Sequence, residues 1–267
     1  MPTVRLSSAD VHFRSEGSGL PLLLLHGSGG NSLIWFQQIP AFSRHFACFA
    51  VDQPGFGHSY WTTEPVAYSA VLSELADHLG WERFAVVGHS LGGWAALRIA
   101  LQHPERVAAV VLSSSWAGIQ SREVLLHLKE REPRLAELRK AWHEKRPGSY
   151  LPALSPTFQT VRPDLYWLAQ GISAFNSDGP SMAWDTNHSS IMTPETSLAE
   201  LGEWSIPTLC LVGSEDVYVP PNAMRAVAKE FRTGALSEIP GAGHWTYLEQ
   251  AETYNERVVN FLQAQPG

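Results

Sequence analysis

A chain of 267 residues with 44% hydrophobic content can bury a full core, and its length suits one α/β domain with an insertion. Its net charge of −7 argues against nucleic acid and anionic membrane surfaces as partners, since both select basic faces. Two cysteines, Cys48 and Cys210, exclude a disulfide framework. No run reaches the ~18 apolar residues of a membrane span, and Met1-Pro2-Thr3-Val4-Arg5 opens no apolar leader, so a soluble cytoplasmic protein is expected.

The first predicted element is a buried strand over 22–25, which ends in His26-Gly27-Ser28-Gly29-Gly30-Asn31. Residues this small let backbone N–H groups face a site. A phosphate-binding loop does not fit: the lysine of G-x-x-x-x-G-K-[ST] is missing, and Gly27-Ser28-Gly29-Gly30-Asn31-Ser32 breaks the dinucleotide spacing. A second strand over 46–51 runs into the turn-rich segment Asp52 to Ser59, and a helix over 67–79 follows.

A third strand over 84–87 leads straight into Gly88-His89-Ser90-Leu91-Gly92-Gly93, with a helix over 91–102 behind it. This is the G-x-S-x-G elbow, in which a serine turns sharply between strand and helix and its hydroxyl stands clear of the sheet. Gly88 and Gly92 leave room that a Cβ would fill. Ser90 is therefore the candidate nucleophile.

After the strand over 107–112 the βα alternation stops. From 119 to 203 no buried strand is expected, and helical stretches are predicted to break at Pro133, Pro147, Pro152, Pro156, Pro163, Pro180 and Pro194. The segment is read as a helical cap of residues 119–203, inserted into a core of residues 1–118 and 204–267. Its charge-dense first part, Arg122 to Arg146, reads as a salt-bridged helix face, with attraction of anionic substrates as the sharper alternative. Large aromatics, Trp184 among them, supply candidates for a pocket wall. Trp116, Trp142, Trp167 and Trp245 are assigned to substrate binding, Trp245 because it adjoins His244.

The strand over 206–212 closes in Gly213-Ser214-Glu215-Asp216, and the short strand over 236–239 is followed by Gly241-Ala242-Gly243-His244-Trp245 and a helix over 247–262. Behind an elbow of this kind an acid and then a histidine follow in the chain. Asp216 is the expected acid, with Glu215 as fallback, and His244 the expected base. His244 would take the Ser90 proton during attack, and Asp216 would hold the imidazole tautomer. The Leu91 N–H and the Ser28 N–H, or that of Gly29, would form an oxyanion hole. The alternation of strands and helices argues for an α/β fold with a parallel sheet covered on both faces.

In this order and spacing, His26-Gly27-Ser28-Gly29, Asp52 to Ser59, Gly88 to Gly93, Gly213 to Asp216 and Gly243-His244 resemble the α/β-hydrolase superfamily. The resemblance implies a mostly parallel eight-stranded sheet with helices on both faces. It also implies a helical cap between the sixth and seventh strands, no cofactor, and an Asp52 loop that shapes a turn. Ser90 sets the chain apart from the haloalkane dehalogenases and epoxide hydrolases of this fold, which place aspartate at the elbow. Gly243-His244-Trp245 is similar to the meta-cleavage-product hydrolases, which cut carbon–carbon bonds in ring-fission products. That branch usually has Asn where His89 stands, and Arg162 is the candidate for its carboxylate-binding arginine. The expected activity is hydrolysis of small, largely apolar carboxylic esters, a small-molecule substrate, with vinylogous 1,5-diketones second. A ligand receptor on the same scaffold, or a cofactor-free oxygenase using the His–Asp pair, are the readings from other classes. Steady turnover of an aryl ester separates an enzyme from a receptor, and oxygen uptake marks the oxygenase.

Overall fold

Short apolar runs build the sheet of the computed structural model, which describes residues 2–176 and 194–265. Pro180 and Trp184 lie outside these residues. The strands are β1 (Thr3–Arg5), β2 (Ala9–Glu16), β3 (Pro21–Leu25), β4 (Ala47–Val51), β5 (Tyr60–Trp61), β6 (Phe84–His89), β7 (Val107–Ser113), β8 (Thr208–Gly213) and β9 (Gly234–Ile239). Their order across the sheet is β1-β2-β4-β3-β6-β7-β8-β9, with β5 paired to β2. From β4 to β9 every pairing is parallel, while β2 runs antiparallel to β1, β4 and β5. The expected eight strands form the continuous path, and the two-residue β5 is a ninth.

The two-residue side-chain period of the central strands divides the core. Leu22, Leu24, Ala85, Val87, Ala109 and Val111 face one apolar cluster. Leu23, Leu25, Val86, Val110 and Leu112 face the other. Each such side chain taken fully out of water contributes roughly 1.5–3 kcal/mol, so both faces must be covered. Among the described helices, α1 (Ile39–Phe42) packs into the first cluster, and α2 (Tyr68–His78) and α3 (Leu91–Gln102) pack into the second.

Between β7 and β8 lie α4 (Arg122–His143), α5 (Phe158–Val161) and α6 (Pro163–Ala174). Pro133 does not break α4, contrary to expectation: the helix runs 22 residues through it. Pro133 lies on the exposed side, where the carbonyl it leaves unpaired can meet water. Val124 and Leu128 of α4 join the second cluster, and Phe158, Leu165, Tyr166, Ala169 and Ile172 of α5 and α6 join the first. The inserted helices are thus attached to both sides of the core. After β8, α7 (Pro221–Lys229) packs beneath α4. The predicted C-terminal helix is split at Gln250, whose φ of −130° and ψ of 53° are not helical, into α8 (Thr246–Glu249) and α9 (Ala251–Gln263).

Candidate active site

Ser90 directly follows the fully buried β6 and precedes the first residue of α3, with φ 49° and ψ −112°. A non-glycine residue held there carries on the order of 1–3 kcal/mol of strain, so its surroundings must over-determine it. They do. The Ser90 N–H donates to the Ser113 carbonyl at 3.0 Å, and the Ser90 carbonyl accepts from Ser115 Oγ at 2.6 Å. A Cβ on Gly92 would meet the Leu25 carbonyl oxygen and lie 2.7 Å from that of His26, and one on Gly88 would collide with the Gly92 backbone. The glycines of the elbow are therefore required by the close approach of β3, β6 and α3.

His244 lies in the loop between β9 and α8 and is buried, as is Asp216 in the loop after β8. His244 Nδ1 donates to Asp216 Oδ2 at 2.9 Å and approaches Oδ1 at 3.1 Å. That contact leaves Nε2 as the ring nitrogen with a free lone pair. Asp216 Oδ1 also accepts from the N–H groups of Tyr218 at 2.8 Å and Val219 at 2.9 Å, which fixes the carboxylate. Glu215 points into solvent, and its N–H donates to the Ala242 carbonyl at 2.9 Å. The structure thus brings Asp216, not Glu215, to His244. Among the described residues Ser90 Oγ makes no hydrogen bond to His244; such bonds are often loose without substrate.

Around the imidazole are His89, with ring centroids 4.9 Å apart, and Tyr218 at 5.0 Å. His89 is buried, and burial holds its pKa well below the usual histidine value. It stays neutral, its Nδ1–H donating to the Ser113 carbonyl at 3.2 Å, and adds no second charge beside His244.

The loop after β3 abuts the elbow: a Cβ on Gly27 would lie 3.0 Å from Ser90 Cβ. The Gly27 carbonyl accepts from His26 Nδ1–H at 2.8 Å and from the Gly30 N–H at 3.0 Å. The Gln53 N–H donates to His26 Nε2 at 3.0 Å, which sets that tautomer. With this carbonyl pinned, the trans peptide aims the Ser28 N–H the opposite way. Among the described residues neither the Ser28 nor the Leu91 N–H has an acceptor, so both remain available as donors. The carboxylate of Asp52 accepts from the Ser32 N–H at 2.5 Å and the His58 N–H at 2.9 Å, and so shapes the neighbouring turn.

The tryptophans divide. Trp245 is partly buried beside His244, and its N–H donates to the Ala153 carbonyl at 3.1 Å. Trp116 follows Ser115, which holds the Ser90 carbonyl, and packs edge-on to Trp94 at 4.8 Å. Trp142 packs against the cluster that holds α6. Trp167 is a correction: it is 70% exposed, because α6 buries the opposite face through Leu165, Tyr166, Ala169 and Ile172. Arg162 is half exposed, and its guanidinium is paired with Asp164 at 2.7 Å.

The cations that do face this region lie on α4, within the charge-dense stretch for which attraction of anionic substrates is the sharper alternative. The Arg139 guanidinium sits 5.0 Å from the centroid of the Tyr218 ring. Arg131, two turns earlier, has its pKa pushed down by burial, partly offset by the charges of Glu132 and Asp216. Glu249 was missed in the sequence. Its carboxylate accepts from the Gly243 N–H at 3.0 Å and the Ser155 N–H at 2.8 Å, tying the inserted segment to the His244 loop. None of the three belongs to a short motif. Only the inward phase of α4 could have pointed to the arginines.

A family described as alpha/beta hydrolase fold matches residues 21–251. The chain is 26% identical to the provisionally named carbamate hydrolase RutD of Azorhizobium caulinodans, over 98% of each chain. It is 29% identical to the pimeloyl-[acyl-carrier protein] methyl ester esterase of Yersinia enterocolitica, over 91% of this chain and 93% of that one. Among solved structures, a thermophilic esterase from Thermogutta terrifontis superposes with a TM-score of 0.76 at 23% identity, covering 98% of both chains.

Proposed function

The chain belongs to the alpha/beta hydrolase fold family and is an enzyme of that fold; on this premise we propose that it is a serine hydrolase of small, largely apolar carboxylic esters. The observation that carries the reading is the buried His244–Asp216 contact at 2.9 Å beside a serine held at φ 49°. In this reading Ser90 Oγ attacks the ester carbonyl carbon while His244 Nε2 takes its proton. Asp216 stabilises the imidazolium that forms. The carbonyl oxygen becomes an oxyanion between the Ser28 and Leu91 N–H groups, each worth roughly 2.7–4 kcal/mol at the transition state. The intermediate collapses, His244 protonates the departing alkoxide, and water repeats the sequence on the acyl-enzyme. Residues 119–203 act as a cap over the core, with Trp245, Trp116 and Trp142 offering apolar surface to the substrate.

The curated relatives include an enzyme named for ester hydrolysis and one named as a 2-hydroxy-6-oxononadienedioate hydrolase. The second keeps carbon–carbon bond hydrolysis as an alternative. Arg139 over Tyr218 favours it, because an anionic dienoate needs a cation near the triad. The test compares kcat/KM for a short aryl ester and a ring-fission dienoate. A higher value for the ester, with burst release of the phenol, supports the proposal; a higher value for the dienoate reverses the order.

A further inference from the structure

The loop that carries the Ser28 N–H has few side chains of its own to hold it. Ser28, Gly29 and Gly30 follow one another, and Gly29 has φ +81°, so the free segment has wide conformational freedom. Its upstream end is pinned through the Gly27 carbonyl. Its downstream carbonyls are held from elsewhere. Asn176, just beyond α6 in the inserted segment, donates through Nδ2 to the Gly29 carbonyl at 2.9 Å and to the Gly30 carbonyl at 3.1 Å. Among the described residues no other group donates to either carbonyl. The Asn176 Oδ1 accepts from the Gly57 N–H at 2.8 Å and from Asn31 Nδ2 at 3.4 Å. Asn31 Nδ2 also donates to the Ile172 carbonyl of α6 at 2.9 Å, and Asn31 Oδ1 accepts from the Leu33 N–H at 3.0 Å.

One amide, only 7% exposed, thus satisfies two loops that are 119 and 146–147 residues away in the chain. Three short contacts and a longer one to Asn31 use the full donor and acceptor capacity of an asparagine side chain. The pattern calls for a carboxamide: an aspartate would set an oxygen against the two carbonyls, a leucine would orphan three backbone groups, and a glutamine would carry its amide one methylene farther out.

We propose that Asn176 is a positioning residue that makes the geometry of the oxyanion loop depend on the seating of the inserted helices. The proposal rests on the reading of Ser28 as an oxyanion donor. It assigns the segment between β7 and β8 a part in transition-state stabilisation as well as in covering the site. When Asn176 releases Gly29 and Gly30, the Ser28 N–H loses its aim while the apolar walls that bind the ground state are untouched. The expected signature is a loss in kcat with little change in KM.

The test uses full-length Asn176→Asp and Asn176→Ala, with active sites counted by fluorophosphonate titration. Asn176→Asp keeps the shape and the acceptor for Gly57 but loses the donor; Asn176→Ala removes all four bonds without adding charge and serves if the first variant does not fold. On an aryl ester, kcat per titrated site should fall roughly 10- to 100-fold, less than the 10²–10³ that follows outright removal of an oxyanion donor. KM should stay within about threefold. Inhibition by an aryl trifluoromethyl ketone, which Ser90 converts to a tetrahedral adduct, should weaken by the same factor as kcat, while a matched ground-state amide should bind as before. If kcat per titrated site stays within about threefold of the parent in both variants, the proposal is overturned. It is equally overturned if the ketone and the amide weaken together. Undiminished turnover by Ser90→Ala would instead remove the reading on which the proposal rests.

Discussion

Glu249 gives the folded chain a pH dependence that Glu249→Gln should abolish. Its carboxyl lies between the His244 loop and the inserted segment, and burial pushes its pKa up to about 7, against the pull of its bonds to Ser155 and Gly243 and with help from the charge of Asp216. A carboxyl of this type titrates near 4.5 when unperturbed. Between 4.5 and about 7 the folded chain therefore holds a proton that the unfolded chain has lost, and stability falls as pH rises through that window. The full gap is worth about 3–4 kcal/mol at ~1.4 kcal/mol per pH unit, of which about 2–3 kcal/mol is lost between pH 5 and pH 8. Glutamine carries no titrating proton, and every other group is common to both proteins. The assay is the free energy of urea unfolding of both proteins from pH 5 to pH 8, read as parent minus variant. That difference should drop by about 2–3 kcal/mol as pH rises, with a maximal slope near 1.4 kcal/mol per unit. A flat difference curve would refute the reasoning.

Asp216→Asn should lower kcat by about 10³–10⁴ while Glu215→Gln leaves it nearly unchanged; steady-state hydrolysis of an aryl ester checks both, and the reverse pattern would move the acid to Glu215. Trp245→Ala should raise KM for apolar esters roughly tenfold, about 1.4 kcal/mol, through lost ring contact. Trp167→Ala should leave kcat/KM within about twofold, because its ring is in solvent. An ester chain-length panel measures both, and a large effect at Trp167 would place that ring against the substrate.

The elbow was legible because its chemistry and its sterics use the same residues. A strand that must turn into a helix against β3 needs Gly88 and Gly92, and that need is written locally. The parallel centre was legible for a similar reason, since strands buried on both faces read as unbroken apolar runs. β2 was not: His12, Arg14 and Ser15 interrupt it, as expected of a strand near the sheet edge. Pro133 misled because its cost falls on a solvent-facing turn of a long helix that packing sustains. Trp167 misled because residue type does not reveal helix phase. Asn176 and Glu249 left no trace in the sequence, since each acts through backbone groups from distant segments, and backbone partners impose no residue pattern.

Covalent capture of Ser90 tests the central claim most directly. A fluorophosphonate followed by peptide mapping should place the label on Ser90 alone, with one label per chain, and Ser90→Ala should take no label and lose about 10⁴-fold or more in kcat. A label on another residue, or hydrolysis undiminished in Ser90→Ala, would contradict it.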